Sequence, residues 1–267
     1  MSARRSWTRW RATREAELAE EHGWLSLTGF AWLSAEPAGV PGLPGLWWAD
    51  DEGAHVRADE GDELATDVGP VVGTAGADVA ESGSLHWVRH GERVVELLRR
   101  GGRLAVRTRD PQAPARLAFT GVPTWDHDAD WVRPATFTPT AGPAAVQVGT
   151  ARDDLVQLAR VVGTVDVDVA GVRHRLSAVP AGDGLALLFH DATNDVTSAP
   201  WRTVVTEAPD PEGNLVVDFN RAVNLPFAFS DHGTCPAPVS GNRIAVAVTA
   251  GEKRPERQPE TPAKQPA

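Results

Sequence analysis

Short apolar runs, broken again and again by turns, constrain this chain more than any other feature. Runs of this kind are expected over Leu85–Arg89, Arg93–Leu98, Leu104–Thr108, Arg116–Phe119, Ala144–Val148, Val161–Val169, Val172–Leu176, Leu185–His190, Thr203–Thr206, Leu215–Phe219 and Ile244–Thr249. Each has strand length, and Gly, Pro, Asn or Asp residues separate most of them. The sequence therefore predicts a mainly β fold, an antiparallel barrel-like or sandwich domain. One helix precedes it. Trp7, Trp10, Arg14 and Leu18 recur at helical spacing over Trp7–Glu21, with glutamates on the other side and Gly23 as a stop. Arg152–Arg160 reads as a short helical turn, and Pro37–Gly45 reads as loop.

The predicted organisation is a helix over residues 1–22 packing on one β-rich domain over residues 23–253. A Pro-, Glu- and Lys-rich tail follows over residues 254–267 and reads as disordered. A faint repeat runs through the middle. Gly91-Glu92-Arg93 leads through Gly101-Gly102 to Asp110, and Gly171-Val172-Arg173 leads through Gly182-Asp183-Gly184 to Asp191. An arginine follows each aspartate, Arg116 in one copy and Arg202 in the other.

Composition excludes several functions. Lys and Arg total 26 against 36 Asp and Glu, a formal net charge of -10. Nucleic acid and anionic membrane surfaces require a basic face, so neither is expected as a partner. With no tyrosine, no mechanism can use a phenolic hydroxyl. Cys235 is the single cysteine, so neither an internal disulfide nor a multi-thiolate zinc site can form. No apolar run reaches the length of a membrane span, and a soluble cytoplasmic protein is the expectation. Motifs for a serine-hydrolase elbow, a P-loop, a zinc helix or a dinucleotide fold are missing, so no cofactor and no metal are expected.

Polar residues at the ends of apolar runs between Phe189 and Lys253 mark the candidate site. The ligand-binding candidates are His190, Asp191, Arg202, Asp218, Asn220, Asn242 and Glu252. Strand ends beside turns are where a β scaffold presents polar groups. Asp218 and Asn220 share a face on a regular strand and could hold a water or accept from a substrate. A structural network serves equally, with Asp218 pairing Arg202 or Arg221 and Asn220 capping the next turn. Asp191 and Thr193 fit an Asx turn. His127 lies among Asp126, Asp128 and Asp130, a composition that could ligate a metal but lacks the calcium-loop spacing. Cys235 with His232 is the minimum for a thiol nucleophile, although the prolines around it favour a structural role. Trp47, Trp48, Trp87, Trp125, Trp131 and Trp201 could line an apolar pocket or fill a core.

These residues resemble a known family, the uncharacterised prokaryotic family called domain of unknown function 1684. The resemblance runs from about Trp10 to Lys253. It rests on G-W-L-S-L from Gly23, R-D at Arg109-Asp110, F-T-G from Phe119, F-H-D-A-T from Phe189 and V-D-F-N from Val217. It continues in C-P-A-P from Cys235, G-N-R from Gly241 and A-G-E-K from Ala250. The family brings no established activity. It usually carries a Tyr-Gly stretch before the arginine, where this chain has Ser198-Ala199-Pro200-Trp201-Arg202. It usually has a cysteine and an aromatic hydroxyl after N-x-P, where this chain has Phe227 and Phe229.

The expected function is recognition of a small-molecule ligand at a tryptophan-lined pocket. Arg202, Asp218, Asn220 and Asn242 would supply its polar contacts, with Asp218, Arg202 and Asn242 in one cluster. A metal-independent hydrolase or lyase using Asp218 or His190 as base is the alternative, and a structural module without ligand is the third reading.

Overall fold

A computed structural model of the protein describes residues 3–257. The last residues of the expected disordered tail, 258–267, lie outside the described residues. Helix α1 covers Ala3–Leu18, and the rest is mainly β, in antiparallel sheets that do not close into a barrel. The chain forms two compact units. One spans Ala16–Phe119. The other joins Thr120–Glu256 to the helical residues up to Glu15. Their boundary falls inside the stretch read from the sequence as one domain.

In the Ala16–Phe119 unit the strands are β1 (Leu27–Trp32), β2 (Leu46–Asp50), β3 (Gly53–Ala58), β4 (Leu64–Thr66), β5 (Gly69–Pro70), β6 (Gly73–Ala77), β7 (Ser84–His90), β8 (Arg93–Arg100) and β9 (Arg103–Arg109). They make a sheet ordered β1-β9-β8-β7-β4-β5 and a smaller one ordered β2-β3-β6. Trp47, Val56, Trp87, Val95 and Leu97 fill the core, with the Trp47 and Trp87 rings meeting edge to face. A buried charged group sits beside this core. Glu96 receives both Arg107 and Arg109, and both guanidinium groups lie over Trp24.

The strands of the Thr120–Glu256 unit are β10 (Val132–Gly149), β11 (Val156–Val169), β12 (Val172–Ala181), β13 (Gly184–Phe189), β14 (Arg202–Thr206), β15 (Asn214–Asp218) and β16 (Val223–Asn224). They form one sheet in the order β15-β10-β11-β12-β13-β14-β16. Alternation sorts the side chains. Leu185, Leu187, Phe189, Arg202 and Val204 point to the buried face, and Ala186, Leu188, His190, Trp201 and Thr203 to the other. Phe189, Phe219, Val217, Ile244 and Val248 are fully buried in the core.

The repeat read from the sequence has a structural counterpart. β7-β8-β9 and β11-β12-β13 are both antiparallel meanders joined by two-residue turns. Gly101 and Gly102 turn with φ of 59° and 75°, the conformation a tight hairpin needs and glycine supplies. Asp110 and Asp191 each accept a hydrogen bond from the backbone N–H two residues on. The arginines that follow both donate to backbone carbonyls, Arg116 to Ala19, Glu20 and Pro111, Arg202 to Val248, Ala250 and Glu252.

Several expected elements differ. Arg116–Phe119 is no strand. Pro114 opens the short helix α2 (Pro114–Leu117), where a missing N–H costs nothing. Ile244–Thr249 joins no ladder: it bends at Ala245–Val246, the Ile244 N–H and Val246 carbonyl bond the His190 and Ala192 backbone, and the Asp191 and Arg202 side chains take the Val248 N–H and carbonyl. Residues 152–155 turn once, and strand β11 then begins at Val156 instead of the expected helical turn continuing. Helix α1 starts earlier and ends three residues sooner than expected. Trp7 and Leu18 are buried as the stripe requires, and Trp10 is half-buried.

Candidate functional site

Arg202 opens β14 on the buried face and is wholly excluded from solvent. Its Nη2 donates to Asp191 Oδ2 at 2.7 Å and to the Val248 carbonyl at 2.9 Å, and its Nη1 donates to the Ala250 and Glu252 carbonyls. The guanidinium carbon lies 5.1 Å from the Trp125 ring centre and 5.6 Å from that of Phe189. Asp191 is equally occupied. Its Oδ1 accepts the Thr193 N–H, the Asx turn expected from sequence, and the Val248 N–H. Burial works to lower the Arg202 pKa while Asp191 opposes it. A guanidinium starts so far above neutrality that it stays charged. This pair clamps segment 248–252, which bends at Ala250–Gly251, to the sheet.

Glu252 ends that segment, also buried. Its Oε2 accepts the Asn224 N–H at 2.6 Å, and its Oε1 meets Arg14 Nε at 3.2 Å. Burial pushes the carboxyl pKa up, with Arg14 and the Asn224 amide pulling against it. Asn220 and Asp218 form a separate network. Asp218 Oδ1 accepts the Asn220 N–H and side-chain N–H, and Asp218 Oδ2 pairs with Arg221 at 3.3 Å. The Asn220 side-chain amide also exchanges two bonds with the Asp128 backbone, and the Asn220 backbone carbonyl accepts the Trp7 indole N–H at 2.9 Å. Asp218 and Arg221 further border an open groove of about 420 Å³ beside β14 and β15.

Asn242 does something different. Continuing the β12–β13 register past Val179 and Ala186 would set Ser177 opposite Leu188, but the ladder stops there. The Asn242 side chain takes its place. It accepts the Ser177 N–H and donates to the Ser177 and Leu188 carbonyls. Its own carbonyl accepts the His190 N–H, and the Ile244 N–H donates to the His190 carbonyl. One amide thus wedges the two strands apart and seats the loop that ends at residue 242 over the exposed face of the sheet. Under that loop lies a cavity of about 100 Å³ lined by Gln157, Ala159, Ser177, Val179, Ala186, Leu188, Pro236, Val239 and Asn242.

The same face continues into an aromatic group. Leu188 pairs with Thr203 in register, and His190 and Trp201 follow at the strand ends. Trp201 stacks on Phe227 with ring centres 4.1 Å apart at 28°, and His190 meets its edge at 6.2 Å. His190 Nδ1 lies 3.0 Å from the Pro200 carbonyl. A carbonyl only accepts, so Nδ1 carries the proton and Nε2 is left to face outward chemistry. Trp201 Nε1 and Thr203 Oγ1 are buried and have no hydrogen-bond partner among the described residues. A buried donor in that condition costs about 1–3 kcal/mol.

The sequence candidates therefore divide. Arg202, Asp191 and Glu252 hold one segment, Asp218 and Asn220 another turn, and Asn242 with the His190 backbone a third junction. Among the described residues each of Arg202, Asp218 and Asn242 bonds its own set of partners, and no hydrogen bond joins the three side chains to one another. Thr203 escaped the sequence reading; its position two residues past Trp201 on the face opposite Arg202 is the signal that could have found it. The tryptophans are dispersed too. Trp47 and Trp87 are core, Trp48 stacks on His55, Trp131 packs on Phe219, and Trp125 covers Arg202. His127 contacts Trp7, and Asp128 caps a turn. No three metal-ligating side chains gather among the described residues. No helix among them is long and apolar enough to cross a membrane.

An antiparallel β unit with a wedged, loop-covered face is the class this fold and site define. The chain belongs to the family described as "Protein of unknown function (DUF1684)", whose model matches residues 117–253 and so contains every candidate residue above. It is similar to an uncharacterized protein of Haloarcula marismortui solved by solution NMR, at 31% identity and a TM-score of 0.44, over 52% of this chain and 78% of that one. No curated protein matches it.

Proposed function

We propose that the Thr120–Glu256 unit is a cytoplasmic small-molecule-binding module whose ligand sits on the loop-covered face of the sheet, against the Trp201–Phe227 stack. The observation that carries this reading is the buried pair Trp201 Nε1 and Thr203 Oγ1, polar atoms with no protein partner, Thr203 being the register partner of Leu188, which lines the loop-roofed cavity. A planar or apolar ligand bearing an acceptor would satisfy the indole N–H, and the stacked rings would bury its body. This keeps the tryptophan-lined site expected from sequence but moves its polar contacts. Trp201, Thr203 and His190 replace Arg202, Asp218 and Asn220, whose side chains bond other parts of the protein. The acidic net charge favours a neutral or cationic ligand over an anionic one. The single cysteine, which allows no internal disulfide, supports the compartment.

The fixed His190 tautomer favours a second reading, general-base chemistry by Nε2 on the same bound molecule. Asp218 is the weaker base, being held by Asn220 and Arg221. A fragment screen by ligand-observed NMR tests the binding reading. Fragments with an aromatic ring and an acceptor should bind the wild type and lose at least tenfold in affinity for Trp201→Phe, which keeps the ring and deletes the N–H. Fragments that bind both proteins alike would sink the proposal. Turnover that disappears in His190→Gln while binding persists would establish the catalytic reading.

A further inference from the structure

In the Ala16–Phe119 unit, two sheet edges face one groove. β6 is the outer strand of the β2-β3-β6 sheet and pairs only with β3. β7 pairs with β8 on one side, but on the other β4 meets it only at Arg89 and His90, leaving Ser84–Val88 without a strand neighbour. Between them lies a groove of about 470 Å³ bordered by Val72, Thr74, Gly76, Leu85 and Trp87. Sheet edges are usually guarded by lysine, proline or charged side chains. β6 reads Gly-Thr-Ala-Gly-Ala and carries none of these. The rim is open and mixed, with Val68 99% exposed, Val72 68% and Leu85 42% beside Asp67 and His86.

We propose that this groove is a docking site for an extended segment of another protein, which adds as a strand along β6 and β7. The occupant follows from the chemistry of the walls. Unpaired strand edges present backbone N–H and C=O groups at the strand repeat, and an extended backbone answers them in series. β6, with five residues, is about 17 Å long and accommodates a segment of about five residues. The small side chains of Thr74, Ala75 and Gly76 let a backbone approach closely. Val72 and Leu85 select β-branched or apolar side chains at alternate positions. Asp67 lines the groove and no lysine or arginine does, so an uncharged or basic segment is favoured over an acidic one.

The test is selection of a random seven-residue peptide library on the full-length protein, with a Val72→Glu/Leu85→Glu double variant as the control surface. Both positions are exposed, and circular dichroism verifies that the variant folds. Enriched peptides should be uncharged or basic and alternate in pattern. They should bind the double variant at least tenfold more weakly and lose at least tenfold on N-methylation of alternate backbone amides. Amide exchange should slow within residues 73–77 and 84–88. The proposal is overturned if no peptide is enriched over the control, if N-methylation leaves affinity unchanged, or if protection maps elsewhere. It is also overturned if sedimentation shows that a second copy of the chain occupies these edges.

Discussion

Replacing Arg202 by Met should be the most damaging single change in the Thr120–Glu256 unit. Methionine approximates the stem of arginine, so the loss is chiefly the guanidinium. The Asp191 carboxylate, with no solvent exposure, would keep only the Thr193 and Val248 N–H groups. The Val248, Ala250 and Glu252 carbonyls would lose their side-chain donor together. Removing one member of a buried ion pair costs about 3–5 kcal/mol, and orphaned carbonyls add to that, though not additively. Against a total stability of roughly 5–15 kcal/mol, a loss of about 4 kcal/mol should lower the melting temperature by roughly 8–16 °C. Calorimetry follows the transition, and amide exchange at residues 246–252 reports whether the clamped segment is released first. Pairing the change with Asp191→Asn should recover part of the loss, since the stranded charge disappears with its partner. A cost below about 1 kcal/mol, the value of a surface pair, would refute the argument that this network organises the unit.

The two buried glutamates should have opposite pH signatures. Burial works to raise the Glu96 pKa, but Arg107 and Arg109 overcome it and hold it below the ordinary 4.5, so its contribution is present above pH 4.5 and lost as the pH falls through the lowered value. Glu252 is raised by burial, so its favourable contribution is present below 4.5 and lost as the pH rises through its folded value. Stability-versus-pH curves of Glu96→Gln and Glu252→Gln should diverge from wild type in opposite directions, and parallel curves would contradict both assignments. Asn242→Ala deletes three hydrogen bonds at the β12–β13 junction and should cost about 2–3 kcal/mol in urea unfolding, with faster exchange at Ser177 and His190. Trp7→Ala removes a buried ring and the donor to Asn220, and should cost about 3–5 kcal/mol, measured by the same unfolding.

Strands that bury one face and expose the other were legible. β7, β8, β9, β12, β13, β14 and β15 all fall near their expected positions because alternation is a local property of the side chains. β2, β3 and β6 were not, since G-L-W-W-A-D and G-T-A-G-A hold few apolar residues in alternation and become strands only by pairing with each other. Ile244–Thr249 misled in the opposite sense. It has strand composition, but it bends at Ala245–Val246, and the Arg202 and Asp191 side chains take the Val248 carbonyl and N–H. Polar strand ends pointed to the third of the chain that also holds the proposed site, yet the sequence could not tell an arginine facing a ligand from one facing three carbonyls. That distinction depends on which face of β14 is covered, a fact set by residues 40 or more positions away. Asn242 was selected for the wrong reason. No strand begins or ends at it; its amide replaces a missing β12–β13 ladder bond.

The most direct test of the proposed site is the Trp201 indole N–H resonance, assigned by comparing the nitrogen-correlated spectra of wild type and Trp201→Phe. On addition of an aromatic, acceptor-bearing fragment that binds, the Trp201 resonance should shift downfield and saturate with the binding curve, while the Trp47 and Trp87 indole resonances stay fixed. A fragment that binds and saturates without moving Trp201, or that moves it equally in Thr203→Val, would contradict the placement of the site on this face of the sheet.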